Sequence, residues 1–318
     1  MKISMIGSGR WGTFITWYLD SIGHTVKLYG PADTPQMRQL LETRTNGTVT
    51  LPERVKLVTD IHALADAELI GISVPSQALC GLMGELRDAG LVDKKFVLCM
   101  KGIDIASGKR LSEIAAEGAG HDRIAVWIGP GHPQEFCRGI PNCMVIDSAD
   151  EALKRELVEA FSSKLIRFYY GSDLIGNEIG AAAKNVIGIA AGMLDGMGVS
   201  SLKGALMARG AREVARLIHA MGGNELSAYG LCHLGDYEAT VFSKYSHNRQ
   251  FGESFVKGES YTALAEGYCT VKAMMKLADR YGVDLPISAA VYAVLYEGVP
   301  PKTAIDALFD RSLKEEFD

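Results

Sequence analysis

The sequence predicts an α/β chain in which an N-terminal doubly wound sheet precedes a mostly α-helical C-terminal domain. Short apolar runs alternate with helical patterns along residues 1–172, and such runs are typical of buried parallel strands. Strand–helix alternation favours a doubly wound sheet. Beyond this region helical periodicity dominates and no convincing strand follows, so we expect domains at residues 1–172 and 173–318.

The apolar runs predict strands at residues 2–6, 25–29, 69–74, 96–100, 124–128, 145–146 and 165–170. Apolar residues at helical spacing predict helices at residues 12–22, 205–221, 263–280 and 287–297. Residues 174–197 are rich in Gly, Ala, Ile and Met and belong to the predicted helical domain.

Composition limits the classes of function. A length of 318 residues fits two domains, and 47% hydrophobic with 22% charged residues is an ordinary globular balance. The net charge of −5 lacks the basic excess of proteins that hold a nucleic-acid backbone, although a small anionic ligand remains possible. No apolar run approaches the ~20 residues of a membrane span, and the first strand reaches glycine too soon for a signal peptide. We therefore expect a cytoplasmic protein.

The cysteines show no C-x-x-C spacing, so the sequence indicates neither a zinc site nor a disulfide framework. We expect free thiols in a reducing compartment and no metal site. The six positions are Cys80, Cys99, Cys137, Cys143, Cys232 and Cys269.

Residues 7–12 read Gly-Ser-Gly-Arg-Trp-Gly, which matches the G-x-G-x-x-G pattern of Rossmann-type dinucleotide-binding domains. The pattern follows the first strand and opens the first helix, which is the context that this motif requires. The first glycine permits the tight turn, the second lets the backbone approach the pyrophosphate, and the third lets the helix pack on the strand. The predicted cofactor-binding residues of this loop are Gly7, Ser8, Gly9, Arg10, Trp11 and Gly12.

The identity of the dinucleotide stays open between NAD and NADP. An acid at the end of the second strand is typical of NAD sites, but here Asp33 lies a few residues past that position. Arg38 and Arg44 are candidates to meet a 2′-phosphate, although each also fits an ordinary surface charge.

Four later segments carry candidate chemistry. Val74-Pro75-Ser76, Met100-Lys101-Gly102 and the loop 127–135 each follow a predicted strand, at the sheet edge where ligands bind in open α/β folds. Lys184 lies in an apolar helical stretch, where a lysine is costly unless it is paired or used. Because burial lowers the pKa of a lysine, Lys184 is a candidate general base.

Taken in order, these segments resemble the NAD(P)-dependent glycerol-3-phosphate dehydrogenases over nearly the whole chain. The matching segments are residues 7–12, 74–76, 101–102, 129–135, 183–186, 191–193, 195–196, 234–236, 246–252 and 266–268. The resemblance implies interconversion of sn-glycerol 3-phosphate and dihydroxyacetone phosphate by hydride transfer to or from NAD or NADP. It also implies a homodimer.

The resemblance further implies a role for particular residues. Lys184 would be the general base, Lys101 would polarise the reacting oxygen, and Asp236 would orient Lys184. The implied substrate-binding residues are Lys101, Gly129, Gly131, Asn185, Asp236, Ser246, His247 and Asn248. Outside the glycine loop, the implied cofactor-binding residues are Pro75, Lys101, Pro133, His247 and Glu266.

Two positions depart from the family pattern. His247 stands where the family usually has an arginine, and Arg249 is a candidate to compensate for it. Gly131-His132-Pro133 stands where a hydroxyl residue, an aromatic residue and an alanine are more usual. These departures keep two alternatives open: a related two-domain dehydrogenase acting on another hydroxy acid or opine, and a nucleotide-sensing module without turnover.

Overall fold

The computed structural model describes residues 1–313, 315 and 316, and the chain divides into two compact units. Unit 1 contains Met1–Met100 and Leu111–Ser172, and unit 2 contains Lys101–Arg110 and the chain from Asp173 onward. Among the described residues, none of the helices is both long enough and apolar enough to cross a bilayer.

Unit 1 is built on an eight-stranded sheet with the strand order β3-β2-β1-β4-β5-β6-β7-β8. Its strands are β1 (Lys2–Ile6), β2 (Thr25–Tyr29), β3 (Lys56–Val58), β4 (Leu69–Ile72), β5 (Lys95–Leu98), β6 (Ile124–Ile128), β7 (Asn142–Ser148) and β8 (Ile166–Tyr170). Neighbouring strands are parallel except β6 and β7, which are antiparallel. The predicted doubly wound sheet is therefore confirmed.

The sequence reading missed β3 because it is a three-residue edge strand, Lys-Leu-Val, that pairs only with β2 among the described strands. It also predicted only two of the seven residues of β7, because polar Asn142 and Asp147 interrupt the apolar run near its two ends. Both misses are consistent with the weak signal of short or partly polar strands.

The helices of unit 1 are α1 (Arg10–Ser21), α2 (Pro35–Thr43), α3 (Leu79–Asp88), α4 (Leu111–Ala119), α5 (Pro133–Phe136) and α6 (Glu151–Phe161). Helix α1 is anchored by fully buried aromatic rings: Tyr18 meets Trp127 edge-on at 5.9 Å, and Phe14 stacks on Phe136 at 5.1 Å. Burying one large apolar side chain contributes about 1.5–3 kcal/mol. This packing holds the glycine loop at the start of α1 in place.

Unit 2 is helical and contains α7 (Leu174–Gly196), α8 (Lys203–Ala220), α9 (His247–Lys257), α10 (Glu266–Tyr281), α11 (Pro286–Tyr296) and α12 (Pro301–Phe309). The predicted helical C-terminal region is confirmed. Helix α7 forms its centre and approaches α9 closely through glycines. A Cβ on Gly192 would lie 1.9 Å from the Arg249 carbonyl oxygen, and one on Gly252 would lie 2.1 Å from that of Ile189.

The segment Lys101–Arg110 departs from the continuous first domain expected over residues 1–172, because it packs within unit 2. Ile103 is fully buried in the helical core, and Arg110 forms a 2.7 Å ion pair with Glu178 on α7. Lys276 on α10 donates to the Ile105 carbonyl at 2.7 Å. These contacts place Lys101 in the helical unit.

Candidate active site

Unit 2 contains a buried cluster of two lysines and one carboxylate. The Nζ atoms of Lys184 and Lys101 lie 2.6 Å and 2.7 Å from the same oxygen, Oδ2 of Asp236. The side chain of Asp236 is 1% exposed, that of Lys184 9% and that of Lys101 19%. Among the predicted site residues, the structure thus brings together the three that were expected to carry the chemistry.

The three side chains come from different kinds of local structure. Lys184 lies in the middle of α7, where residues 178–194 are all buried. Asp236 ends the single 3₁₀ turn Leu234–Asp236, and Lys101 opens the segment Lys101–Arg110. The expectation that a lysine in this apolar helix must be paired is met by Asp236.

Thr240 is a further contact of the lysine that the sequence reading did not single out. Lys184 Nζ donates to Thr240 Oγ1 at 2.8 Å, and Thr240 is 2% exposed. It lies in the π-helical turn Glu238–Phe242, a rare conformation that is often found at functional sites. Its only sequence signal is its place four residues after Asp236, which does not distinguish it from other buried threonines.

The electrostatics of the cluster favour an amine that exchanges protons near neutral pH. Burial lowers the pKa of Lys184 to about 7; the Asp236 carboxylate opposes this shift and the Lys101 charge reinforces it. With both lysines protonated, the three groups carry a net charge of +1. The cluster can therefore give or take a proton at Lys184 and can accept a small anion.

A second group of predicted residues meets around the start of α9. Asn248 Nδ2 donates to Asn185 Oδ1 at 3.0 Å, and Asn248 Oδ1 accepts from the Gly267 N–H at 2.9 Å. Gly267 follows Glu266, the first residue of α10. The Asn185–Asn248 contact therefore links α7, α9 and the first turn of α10 beside Lys184.

His247 and Ser246 lie at the N-terminus of α9. Ser246 is its N-cap and accepts from the Arg249 N–H at 3.3 Å. His247 Nδ1 lies 2.6 Å from the Tyr261 hydroxyl, which in turn donates to Gln250 at 3.2 Å. The sequence reading assigned no helix here, because this segment is largely polar and begins at a cap rather than at an apolar run.

The family resemblance leads one to expect an arginine at position 247, and Arg249 was the candidate to compensate for it. The guanidinium of Arg249 is engaged in other contacts, so the suggestion that it compensates is wrong. Its guanidinium lies 2.7 Å from Asp195 and 2.9 Å from Glu253, and its Nε donates to the Ser243 carbonyl. Its side chain is 15% exposed. The guanidinium is committed to ion pairs that join α7 and α9.

In unit 1 the glycine loop has the geometry that a dinucleotide requires. Gly7 has φ +115°, and a Cβ there would lie 2.1 Å from the Ser73 carbonyl oxygen, so only glycine fits. A Cβ on Gly9 would meet no atom within 4 Å, which leaves space above the N-terminus of α1. Because Gly9, the N-cap of α1, has no side chain to bond the first-turn N–H groups, they are suited to phosphate oxygens. The loop therefore fits a pyrophosphate.

The other predicted residues of unit 1 lie in strand-end turns. Pro75 precedes the 3₁₀ turn Ser76–Ala78, and Pro133 begins α5. Gly129 and Gly131 have φ of +133° and +141°, and a Cβ on Gly131 would lie 2.4 Å from the Phe136 ring. Glycine at these two positions allows the loop to fold tightly over the aromatic core.

Arg44 is not placed to contact a 2′-phosphate. Of the two arginines suggested as contacts for the 2′-phosphate of NADP, this one is therefore wrong. Its guanidinium donates to the carbonyls of Leu51, Pro52 and Val55 at 2.6–3.1 Å and so fixes the loop after α2. Arg38 is exposed on α2 and is the remaining arginine candidate for a 2′-phosphate.

Replacing Gly12 by alanine is expected to weaken dinucleotide binding and to destabilise unit 1 by about 1–3 kcal/mol, a usual cost of overpacking. The added Cβ would lie 2.0 Å from the Gly7 carbonyl oxygen and would push the loop away from α1. NADH and NADPH titrations by intrinsic fluorescence, with thermal melts, measure both effects. Gly81→Ala on α3 is the matched control, since a Cβ there meets no atom within 4 Å; equal losses in both variants would contradict the clash.

A Rossmann-type sheet with a pyrophosphate loop, together with a helical unit that buries a lysine–aspartate cluster, defines the class of NAD(P)-dependent dehydrogenases. Family models match both parts of the chain: the NAD-dependent glycerol-3-phosphate dehydrogenase N-terminus over residues 2–154 and its C-terminus over residues 173–306. The chain therefore belongs to the NAD-dependent glycerol-3-phosphate dehydrogenase family.

Individual relatives are similar over their full length. The glycerol-3-phosphate dehydrogenase [NAD(P)+] of Prosthecochloris aestuarii is 38% identical, with 100% of both chains covered. That of Chlorobium phaeobacteroides is 37% identical, with 100% of this chain and 99% of the relative covered. The crystal structure of glycerol-3-phosphate dehydrogenase from Coxiella burnetii superposes with a TM-score of 0.90 at 26% identity, covering 98% of this chain and 99% of that one.

Proposed function

We propose that this protein interconverts sn-glycerol 3-phosphate and dihydroxyacetone phosphate with NAD or NADP as the hydride carrier. The observation that carries this proposal is the buried Lys184–Asp236–Lys101 cluster in a chain of the glycerol-3-phosphate dehydrogenase family. A cluster with a basic amine and a net positive charge suits the removal of a proton from an alcohol on an anionic substrate.

In the oxidative direction Lys184 Nζ accepts the proton of the C2 hydroxyl, and in the reductive direction it returns that proton. The nicotinamide, when bound, accepts or donates the hydride at C2. Lys101 donates a hydrogen bond to the same oxygen and stabilises its developing negative charge. Positioned general-base catalysis contributes a factor of ~10²–10⁴. Because Lys184 must be neutral to act as a base and its pKa is about 7, the oxidative rate rises through that pH.

The substrate phosphate is assigned to the N-terminus of α9 with Ser246, His247 and Asn248. A helix N-terminus favours anions, and no acidic residue lies in the first turn of α9. Asn185 orients Asn248 for this contact. Gly129 and Gly131 are assigned to the substrate loop of unit 1. Pro75, Pro133 and Glu266 are assigned to the cofactor.

The alternatives are less well supported. A nucleotide-sensing module has no need of a buried lysine with a lowered pKa. A dehydrogenase for another hydroxy acid also needs an anion site, for a carboxylate, but the family models that match residues 2–154 and 173–306 are those of glycerol-3-phosphate dehydrogenases. A cytoplasmic location, expected from the sequence, and a homodimer, implied by the family resemblance, are part of the same proposal.

The direct test mixes the purified protein with sn-glycerol 3-phosphate and NAD⁺ or NADP⁺, and then runs dihydroxyacetone phosphate with each reduced cofactor. Absorbance of the reduced nicotinamide reports turnover. We expect activity with these substrates and none with unphosphorylated glycerol or with lactate. Activity only with an unphosphorylated hydroxy acid would replace the proposal with the first alternative, and cofactor binding without any turnover would favour the second.

The His247→Ala variant is expected to raise KM for glycerol 3-phosphate more than it lowers kcat. The imidazole is assigned to the phosphate rather than to the reacting oxygen, so its loss weakens binding in the ground state and the transition state alike. Tyr261→Phe, which removes the partner of His247 Nδ1, is expected to give a smaller change in the same direction. An unchanged KM in His247→Ala would remove His247 from the phosphate site.

A further inference from the structure

Two buried aromatic side chains, His233 and Tyr237, flank the turn that presents Asp236, and the mechanism above uses neither of them. Both are 0% exposed. His233 Nδ1 lies 2.9 Å from the Gly180 carbonyl oxygen on α7, and its Nε2 lies 2.7 Å from the Tyr237 hydroxyl. The two rings meet edge-on at 4.9 Å.

The turn that carries Asp236 has little regular structure to fix it. It is one 3₁₀ turn between α8 and α9, and it is closed by bonds from Gly235 N–H to the Gly230 carbonyl and from Asp236 N–H to the His233 carbonyl. A carboxylate that must remain 2.6 Å from Lys184 therefore depends on side chains that attach this turn to the helices.

The attachment point on α7 is the turn that precedes Lys184. In α-helical geometry the Gly180 carbonyl accepts the backbone N–H of Lys184, four residues later. His233 Nδ1 thus bonds the same carbonyl that holds the Lys184 backbone. Glycine favours this approach, because a Cβ on Gly180 would lie in tight contact, 3.0 Å from the His233 Cβ.

The proton positions in this pair are fixed by its surroundings. Burial lowers the pKa of His233 to about 4, with Lys184 adding to the shift, while the Gly180 and Gly210 carbonyls and Asp236 oppose it. Burial, followed by the nearby Glu213 charge, raises the pKa of Tyr237 well above its usual value. Both groups are neutral at physiological pH. Since a carbonyl can only accept, Nδ1 carries the proton and Nε2 accepts from the Tyr237 hydroxyl.

We propose that His233 and Tyr237 form a neutral hydrogen-bonded clamp that fixes the Asp236 carboxylate against Lys184, and that the two are therefore positioning residues for the hydride-transfer reaction. This proposal rests on the proposed function. The neutrality of the clamp matters, because a third positive charge beside two lysines and a single carboxylate would repel the ammonium form of Lys184.

The test removes one hydroxyl group. Tyr237→Phe keeps the ring but leaves Nε2 of His233 without its donor, so the turn loosens and Asp236 moves away from Lys184. Small misplacements of catalytic groups cost up to ~10²-fold in rate, and we expect kcat to fall within that range with little change in KM for glycerol 3-phosphate. Because the carboxylate raises the pKa of Lys184, the acid limb of the kcat–pH profile is expected to move to lower pH.

Four companion variants separate positioning from general destabilisation. His233→Asn keeps a donor for the Gly180 carbonyl and is expected to retain more activity than His233→Leu, which loses both bonds. Combining His233→Asn with Tyr237→Phe is expected to cost less than the sum of the single changes, because both break the same bond. Tyr18→Phe is the matched control in unit 1, where a buried hydroxyl donates to the Phe161 carbonyl at 2.5 Å; its pH profile should match that of the wild type.

An NMR titration of ¹³C-labelled lysine reads the pKa of Lys184 without any substrate and so separates this proposal from the proposed function. A downward shift of the Lys184 midpoint in folded Tyr237→Phe supports the clamp even if glycerol 3-phosphate proves not to be the substrate. An unchanged midpoint and an unchanged kcat in folded Tyr237→Phe would overturn it. If the wild type shows no turnover but the titration midpoint of Lys184 still moves down in Tyr237→Phe, only the proposed function is overturned.

Discussion

Replacing Lys184 by methionine is expected to reduce kcat by at least the ~10²–10⁴-fold that a positioned general base provides. The amine is the group of the buried cluster that titrates near neutral pH, and methionine has a similar length but cannot take a proton. The remaining Lys101 still bonds Asp236, so the cluster keeps one cation and one anion. NADH and NADPH binding, which is assigned to the glycine loop of unit 1, is expected to survive.

The stability of Lys184→Met is expected to move in the opposite direction from its activity. The pKa of Lys184 is about 7 in the folded chain, against 10.5 for a lysine in water, so the unfolded chain binds this proton more tightly between those values. The cost of burying the ammonium is therefore fully present below about pH 7 and disappears as pH rises towards 10.5. Methionine carries no such cost, and the melting temperature of this variant should exceed that of the wild type most clearly below pH 7.

Single-turnover absorbance, cofactor titration and melts across pH measure these effects. Lys154→Met in unit 1 is the matched control, because Lys154 is also buried and pairs with Glu151 at 2.7 Å but lies outside the cluster. We expect that control to lose stability and keep its kcat. Turnover near the wild-type level in Lys184→Met would exclude Lys184 as the base and leave the family assignment intact.

The sequence was sufficient for features that depend on local patterns. Lys184 was identifiable because a charge within a long apolar helix requires a partner, and the glycine loop because its spacing has one well-defined structural context. The sheet was predictable because β6 is a continuous apolar run and β4 is apolar apart from one glycine, both with every residue buried, while β1 and β2 are mostly apolar.

Features that depend on long-range contacts were not accessible in the same way. The segment Lys101–Arg110 is held in the helical unit in part by the ion pair between Arg110 and Glu178, which are 68 residues apart in the sequence. Thr240, His233 and Tyr237 lie in a segment of short turns with no periodicity, and their importance follows from what they touch. Arg249 shows the converse error: its position in the motif suggested a phosphate contact, but Asp195 and Glu253 hold its charge.

The second large effect is expected from Asp236→Asn, because this change leaves the buried Lys184 and the partly buried Lys101 without their shared carboxylate. Losing one side of a buried ion pair costs about 3–5 kcal/mol when the remaining charge cannot escape. Here Lys184 can respond by releasing its proton, so part of that cost appears as a lower pKa of Lys184 rather than as unfolding. We expect a folded but less stable enzyme, measured by urea titration at pH 6 and pH 9, with the larger loss at pH 6.

The pH profile is the sharper measurement for Asp236→Asn. The Asp236 carboxylate raises the pKa of Lys184 against the effect of burial, so removal of this carboxylate must lower that pKa. The acid limb of kcat for oxidation then moves to lower pH. The alkaline limb of kcat for reduction moves to lower pH as well. An asparagine amide also offers the two lysines only a neutral carbonyl oxygen in place of Oδ2, so we expect Lys184 to be held less firmly and kcat at its plateau to fall by up to ~10²-fold.

Asp195→Asn is the matched control, since Asp195 likewise accepts from two cations, Lys203 and Arg249, each at 2.7 Å in unit 2. It is expected to lower stability without moving either limb of the pH profile, because neither of its partners is assigned to proton transfer. If both aspartate variants shift the limbs equally, the shift reflects a general change in unit 2 and Asp236 loses its special role. If only Asp236→Asn does so, the carboxylate sets the pH at which Lys184 changes from acid to base.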